Sequence, residues 1–214
     1  MRSALRVLLP LLSTVGLAAY ERSPDLRAVT EAIAIGQARD QATRQRFHQP
    51  YLIPVGRPPI DYIDVVTPFR RVELASEERA QAGGVFRQQE ALSVLREHGD
   101  TLKLFLEVTF HPQNTYVGVP TYIVTLAAID MPLTIEPREE QRIPRFAIRV
   151  NSGRPPLPYP LPPSLPTGGE PVVGGTVIVT FDSQRLEPAA SYDVVIQEAG
   201  KELAKVRLEL ARLR

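Results

Sequence analysis

The chain of 214 residues contains no cysteine and no tryptophan. Without a thiol it can form no disulfide, no thiolate zinc site and no iron–sulfur cluster. It also has neither a cysteine nucleophile nor a cysteine to carry a lipid. An excess of one charge is missing too: 25 lysines and arginines face 24 aspartates and glutamates, a formal net charge of +1. So weak a field does not hold a polyphosphate backbone, and nucleic acid is excluded as a partner. Only 3 of the cations are lysine and 22 are arginine, which reads as the codon bias of a GC-rich genome rather than as function. Histidine is scarce, with His48, His98 and His111 the only three. None lies within four residues of another, and none belongs to an H-E-x-x-H pattern. The G-x-S-x-G of a nucleophile elbow is absent. Gly83-Gly84 and Gly174-Gly175 are isolated pairs, not the spaced glycines of a phosphate loop. No cofactor, no metal and no catalytic residue is expected from this inventory.

Long apolar runs are lacking as well, except near the start. Arg2 and Arg6 provide positive charge, and Leu5 to Leu17 is apolar apart from Arg6, Ser13 and Thr14. The small residues Ala18 and Ala19 then precede the polar Tyr20-Glu21-Arg22-Ser23. Charged, apolar, small, polar is the order of a secretory signal peptide, expected here over residues 1–19. The run is too short to span a bilayer, which needs about 20 residues. The expectation is a periplasmic or extracellular protein of a bacterium, with no membrane span once the leader is removed. A chain without cysteine suits that setting, since it cannot be misoxidised there.

Residues 20–100 read as a helical and proline-rich extended section. Ser23-Pro24-Asp25 has the residues of a helix start, with Ser23 as cap. Leu26, Val29, Ile33 and Gly36 then recur at helical spacing, and the stripe runs on through Asp40 to Phe47. Asp40 and Arg44, four apart, are placed to pair. Pro50, Pro54, Pro58, Pro59 and Pro68 punctuate an extended stretch in which Ile60, Ile63, Val65 and Val66 form a strand-like run, suited to a sheet edge. A second helical region is expected from Ser76-Glu77-Glu78, with Val85 to His98 as its better part. Gly99 is expected as a left-handed cap.

After Gly99 the period changes to two. Leu102, Leu104, Leu106, Val108 and Phe110 alternate with Lys103, Phe105, Glu107 and Thr109, the clearest strand in the chain. Tyr122–Ile129 reads as a central strand, and Phe146, Ile148 and Val150 alternate in a later one. Glu136, Glu139 and Glu140 sit beside Arg138 and Arg142 and read as a solvated turn or strand end. Eight prolines between 154 and 171 require an extended loop. Val177, Val179 and Phe181 make another strand. Tyr192–Ile196 and Ala204–Leu210 make a terminal pair about Ala199-Gly200-Lys201. The alternation at 204–210 favours strand over helix.

Leu186-Glu187-Pro188-Ala189-Ala190-Ser191-Tyr192, just before the strand Asp193–Ile196, resembles the tyrosine corner of fibronectin type III and immunoglobulin-like domains. The resemblance implies that Tyr192 returns a hydrogen bond across the corner and that residues 203–212 are the last strand. It implies a mainly β fold with N-terminal helices: an antiparallel sandwich over residues 101–214 with the section 20–100 packed on it. It says nothing about function.

The candidate binding residues are Tyr159 in the proline-rich loop 154–171, Tyr116 in the loop Gln113–Pro120, and His48 and His111 at element ends. Extended proline segments and loops pairing an aromatic with small polar residues are both suited to recognition. The expectation is therefore a non-enzymatic binding or assembly protein whose partner is a protein or another envelope component. The alternative is an envelope hydrolase of glycans or esters, with or without the assistance of a metal, using His48, Asp61 and His111 in one cleft.

Overall fold

A computed structural model describes residues 20–147 and 171–214. The expected leader, Ile148, Val150, and the proline-rich segment up to residue 170 with Tyr159 lie outside the described residues.

The described chain is mainly antiparallel β, in two sheets, with four α-helices. Helices α1 (Leu26–Gly36) and α2 (Gln41–His48) come first. Strands β1 (Leu52–Arg57) and β2 (Ile60–Val66) follow, then α3 (Pro68–Gln81) and α4 (Gln88–His98). The other strands are β3 (Thr101–Thr109), β4 (Tyr122–Ala128), β5 (Thr134–Ile135), β6 (Glu139–Phe146), β7 (Val172–Asp182), β8 (Ser191–Glu198) and β9 (Lys201–Glu209). One sheet has the order β1-β2-β3-β7-β6 and the other β5-β4-β8-β9. Every neighbouring pair is antiparallel. No helix among the described residues is long and apolar enough to cross a membrane.

Strand alternation builds the core. Leu102, Leu104, Leu106 and Val108 of β3 and Val177, Val179 and Phe181 of β7 bury the inner face of one sheet. Tyr122, Val124 and Leu126 of β4 and Tyr192, Val194 and Ile196 of β8 do so for the other, and both sets belong to one apolar cluster. Each such large side chain stabilises the fold by about 1.5–3 kcal/mol when removed from water. The arrangement is sandwich-like, with two sheets sharing one interior. The terminal segment is strand through Glu209, then a short 3-10 turn at Leu210–Arg212. The expected corner bond forms: the Glu187 backbone N–H donates to the Tyr192 hydroxyl at 2.8 Å.

A smaller apolar cluster joins Ala28, Val29 and Ala32 of α1 to Phe69 and Val72 of α3, Phe86, and Ala91 of α4. Gly36 lets α1 and α3 approach closely, since a Cβ there would collide with the Glu73 carbonyl, the Glu77 amide and Ser76.

The helices depart most from the sequence expectations. The stripe from 23 to 47 is two helices, because the Asp40 carboxylate caps a new one by accepting from the Ala42 and Thr43 amides at 3.1 and 3.2 Å. Asp40 is thereby occupied, and Arg44 pairs instead with Glu77 at 2.9 Å. Asp25, not Ser23, caps α1, accepting from the Ala28 amide at 2.7 Å. Helix α3 starts at Pro68, well before Ser76, because the Thr67 hydroxyl accepts from the Arg70 amide at 3.1 Å and proline suits the first turn. It ends where the Gly83 and Gly84 amides fold back onto the Ala80 and Arg79 carbonyls. Helix α4 starts only at Gln88, which leaves Val85 exposed. Gly99 closes it in a right-handed conformation at φ −70°, not as a left-handed cap.

Three strand details also differ. β4 has both neighbours but an open outer face, where Ile123 is exposed. The charged stretch from Glu139 is a full edge strand, β6, paired along β7. The run Ile60–Val66, expected at a sheet edge, is the interior strand β2, paired with β1 on one side and β3 on the other; β1 takes the edge, and part of the section 20–100 lies in the same sheet as β3.

Candidate functional site

The strand β3 leads directly into a built loop. The His111 carbonyl accepts from the Asn114 backbone amide at 2.9 Å and from Asn114 Nδ2 at 2.8 Å. The same Nδ2 donates to the Val172 carbonyl at 3.2 Å, and Asn114 Oδ1 accepts from the Tyr116 amide at 2.8 Å. One side chain thus ties the loop to its own start and to β7. The Tyr116 ring stands edge-on to Phe110 with centroids 4.8 Å apart. Beside it Val117 is 98% exposed, which places an apolar side chain wholly in solvent at the loop tip. Val119 then returns to the core.

This loop, the β1–β2 turn at Pro58-Pro59 and Glu198 at the end of β8 surround a cleft of about 430 Å³, lined among others by Phe110, His111 and Tyr116. His111 Nδ1 accepts from the Gln113 amide at 3.2 Å, so the ring proton of the neutral form sits on Nε2. Asp61 is at the same end of the sheet, accepting from the Thr109 hydroxyl at 2.7 Å.

A second cluster lies at the other end of β2. Glu73 and Glu77 are one turn apart on α3, and His48 ends α2. His48 Nε2 is 3.0 Å from Glu77 Oε2 and 3.5 Å from Glu73 Oε1. Across the ring, Arg70 Nε donates to His48 Nδ1 at 3.4 Å. Nδ1 is therefore an acceptor, and the proton is on Nε2. Arg70 is itself buried, bound to the Asp64 carboxylate and to the Val65 carbonyl at 2.6 Å, with its guanidinium 4.7 Å from the centre of the Tyr51 ring.

The two carboxylates differ sharply. Glu77 has full company: Arg44 Nε at 2.9 Å and Gln81 Nε2 at 3.2 Å on one oxygen, His48 on the other. Glu73 is 0% exposed, and among the described residues neither of its oxygens accepts a hydrogen bond. Burial, with the Glu77 charge adding to it and Arg70 and Arg44 opposing, pushes the Glu73 carboxyl up to about 7.

One histidine nitrogen and two carboxylate oxygens within 4.8 Å of one another are a donor set that divalent metals use. The surroundings fit a proton better. A metal-bound imidazole donates its other N–H to an acceptor. Here that nitrogen faces an arginine donor, and Glu77 is already engaged by Arg44.

Of the residues expected from sequence, His111 and Tyr116 share the loop cleft, and Asp61 lies close to it through Thr109. His48 is not with them: it ends α2 and faces Glu73 and Glu77 of α3, beyond the opposite end of β2. Tyr159 lies outside the described residues. Sequence reasoning missed Glu73, Glu77 and Arg70 as a unit. The pair Thr67-Pro68 is the signal that would have placed all three on one helix. Comparisons with known protein-family models, with curated proteins and with solved structures find no match.

Proposed function

We propose that the protein is exported by its leader, residues 1–19, and acts outside the cytoplasm as a non-enzymatic binding module of immunoglobulin-like type. In lettered form, β2, β3, β7 and β6 fall in the order A-B-E-D, and β5, β4, β8 and β9 in the order C′-C-F-G. That is the strand order of such sandwiches, and the corner at Tyr192 sits at the start of the F-equivalent strand as the resemblance requires. The type is supported by topology and by this bond.

The observation that carries the binding reading is the cleft that gathers His111 and Tyr116. It lies between the B–C loop and the F–G turn, the end at which variable domains present their binding loops. A pinned loop with exposed Tyr116 and Val117 offers a preordered apolar contact, which lowers the entropic cost of docking. The partner this suits is a protein segment of the envelope. The hydrolase alternative required His48, Asp61 and His111 in one cleft, and their separation gives it no support.

The test is site-specific photo-crosslinking in the producing cell, with the probe at position 116 and, as control, at Ala211 on the opposite end. The reading expects the mature chain outside the cytoplasm and one discrete adduct from position 116 alone, lost in His111→Ala. Retention of residues 1–19 in the cytosol overturns the export part. Equal or absent adducts from both probes overturn the binding part.

A further inference from the structure

We propose that Glu73, His48 and Glu77 form a proton-operated clasp between α2 and α3, closed while Glu73 holds a proton and loosened when that carboxyl ionises. This goes beyond the binding reading and does not depend on it.

The charges around Glu73 decide the matter. From α2 it meets His48 and Arg44; from α3 itself, Glu77 and Arg70; behind Arg70 stands Asp64 of β2. The element α1 meets Glu73 through Gly36 and adds no charge that acts on it. Arg44 is paired with Glu77 and Arg70 with Asp64. With Glu73 neutral, these charges balance and His48 bridges the helices as a single N–H donor. With Glu73 ionised, an added negative charge sits fully buried, without a donor, beside Glu77. Such a charge is costly to hold.

Two forms of relief are within reach, and both weaken the contact. Water can enter if α2 moves away from α3. Alternatively His48 can take a second proton, but Nδ1 then becomes a donor facing the Arg70 donor. Helix α2 is the part that gives, because none of its eight residues is buried. Its hold on α3 consists largely of His48, Arg44 and the packing of Phe47 against Phe69.

The experiment is amide hydrogen exchange over residues 41–51 at about pH 6 and about pH 8, corrected for intrinsic rates, in the full chain. With a carboxyl at 4.5 when opened and about 7 when closed, the open form is expected to be about tenfold more populated at the higher pH. Glu73→Gln keeps the shape of the neutral acid and is expected to abolish the tenfold change, while Glu78→Gln, on an exposed neighbour, is expected to retain it. Should Glu73→Gln fold poorly, the carboxyl carbon shift of Glu73 in the unaltered protein decides, with a midpoint near 7 in favour and one near 4.5 against. An unchanged pH response in Glu73→Gln overturns the clasp. So does suppression of the exchange at high pH by stoichiometric zinc, which would make the cluster a cation site.

Discussion

At the scale of single residues, two buried tyrosines make opposite use of their hydroxyls. Tyr192 Oη accepts from the Glu187 amide, so removing it strands a backbone donor at a partly buried corner. Tyr122 Oη is fully buried and has no partner among the described residues. Tyr192→Phe is therefore expected to cost about 1–2 kcal/mol, while Tyr122→Phe is expected to be neutral or slightly stabilising. Urea unfolding checks both, as a lowered midpoint at constant slope for the first and no drop for the second. A neutral Tyr192→Phe would mean that the corner bond does not hold the strand. Tyr192 was legible in the sequence because its partner lies five residues away. Glu73 was not, because what makes it unusual is supplied by residues 44 and 48 of another helix and by Arg70, in the first part of α3, ahead of the start expected at Ser76.

Among the elements, the strands with one buried face were legible, while the exposed strand β6 and the helix limits were not, for a physical reason. A strand with one buried face writes its burial into every second residue, as Leu102 to Val108 do. The helix α3 buries Arg70, Glu73 and Ser76 alongside Phe69 and Val72, so its inner face carries polar residues that read as solvent-facing. The open strand edges were not assigned correctly from the sequence, since the run Ile60–Val66 lies inside the sheet and the charged stretch from Glu139 is a strand; the edges carry Pro54 in β1, Pro144 in β6 and Lys201 and Lys205 in β9, features that discourage pairing with another chain. The β8–β9 hairpin turns on Ala199-Gly200, both at positive φ, 49° and 79°. This is the conformation of a two-residue I′ turn, in which alanine is poorly suited and asparagine well suited. Ala199→Asn is expected to stabilise the protein by about 0.5–1 kcal/mol, raising Tm by about 1–4 °C. A lowered Tm in calorimetry would show that the turn is held by contacts other than its own backbone preference.

Across the whole molecule, Arg214 joins the two apolar clusters. Its amide donates to the Tyr51 hydroxyl at 3.1 Å, and its carbonyl accepts from Tyr51 at 3.2 Å and from the Thr67 hydroxyl. Its side chain pairs with Glu31 and stacks over Phe69, 4.6 Å from the ring centre. Helices and sheets are therefore coupled, and a change that opens one core acts on the other. Three phenols of the larger cluster report on this: Tyr20, Tyr51 and Tyr122 are all buried, and burial raises the pKa of each above the ordinary value of 10.0. Because the folded state holds these protons more tightly than the unfolded chain, their contribution is intact below about pH 10 and is lost as pH rises beyond it. Three phenols released together make stability fall by about 4 kcal/mol per pH unit. Against a total of about 5–15 kcal/mol, the fold should give way within a few units. Tyrosinate absorbance and far-ultraviolet circular dichroism, followed together on the alkaline side, are expected to show a group of phenols that ionises only in step with unfolding. If all the absorbance instead rises smoothly around pH 10 while the dichroism holds, these three phenols are open to solvent and the shared core does not close over them.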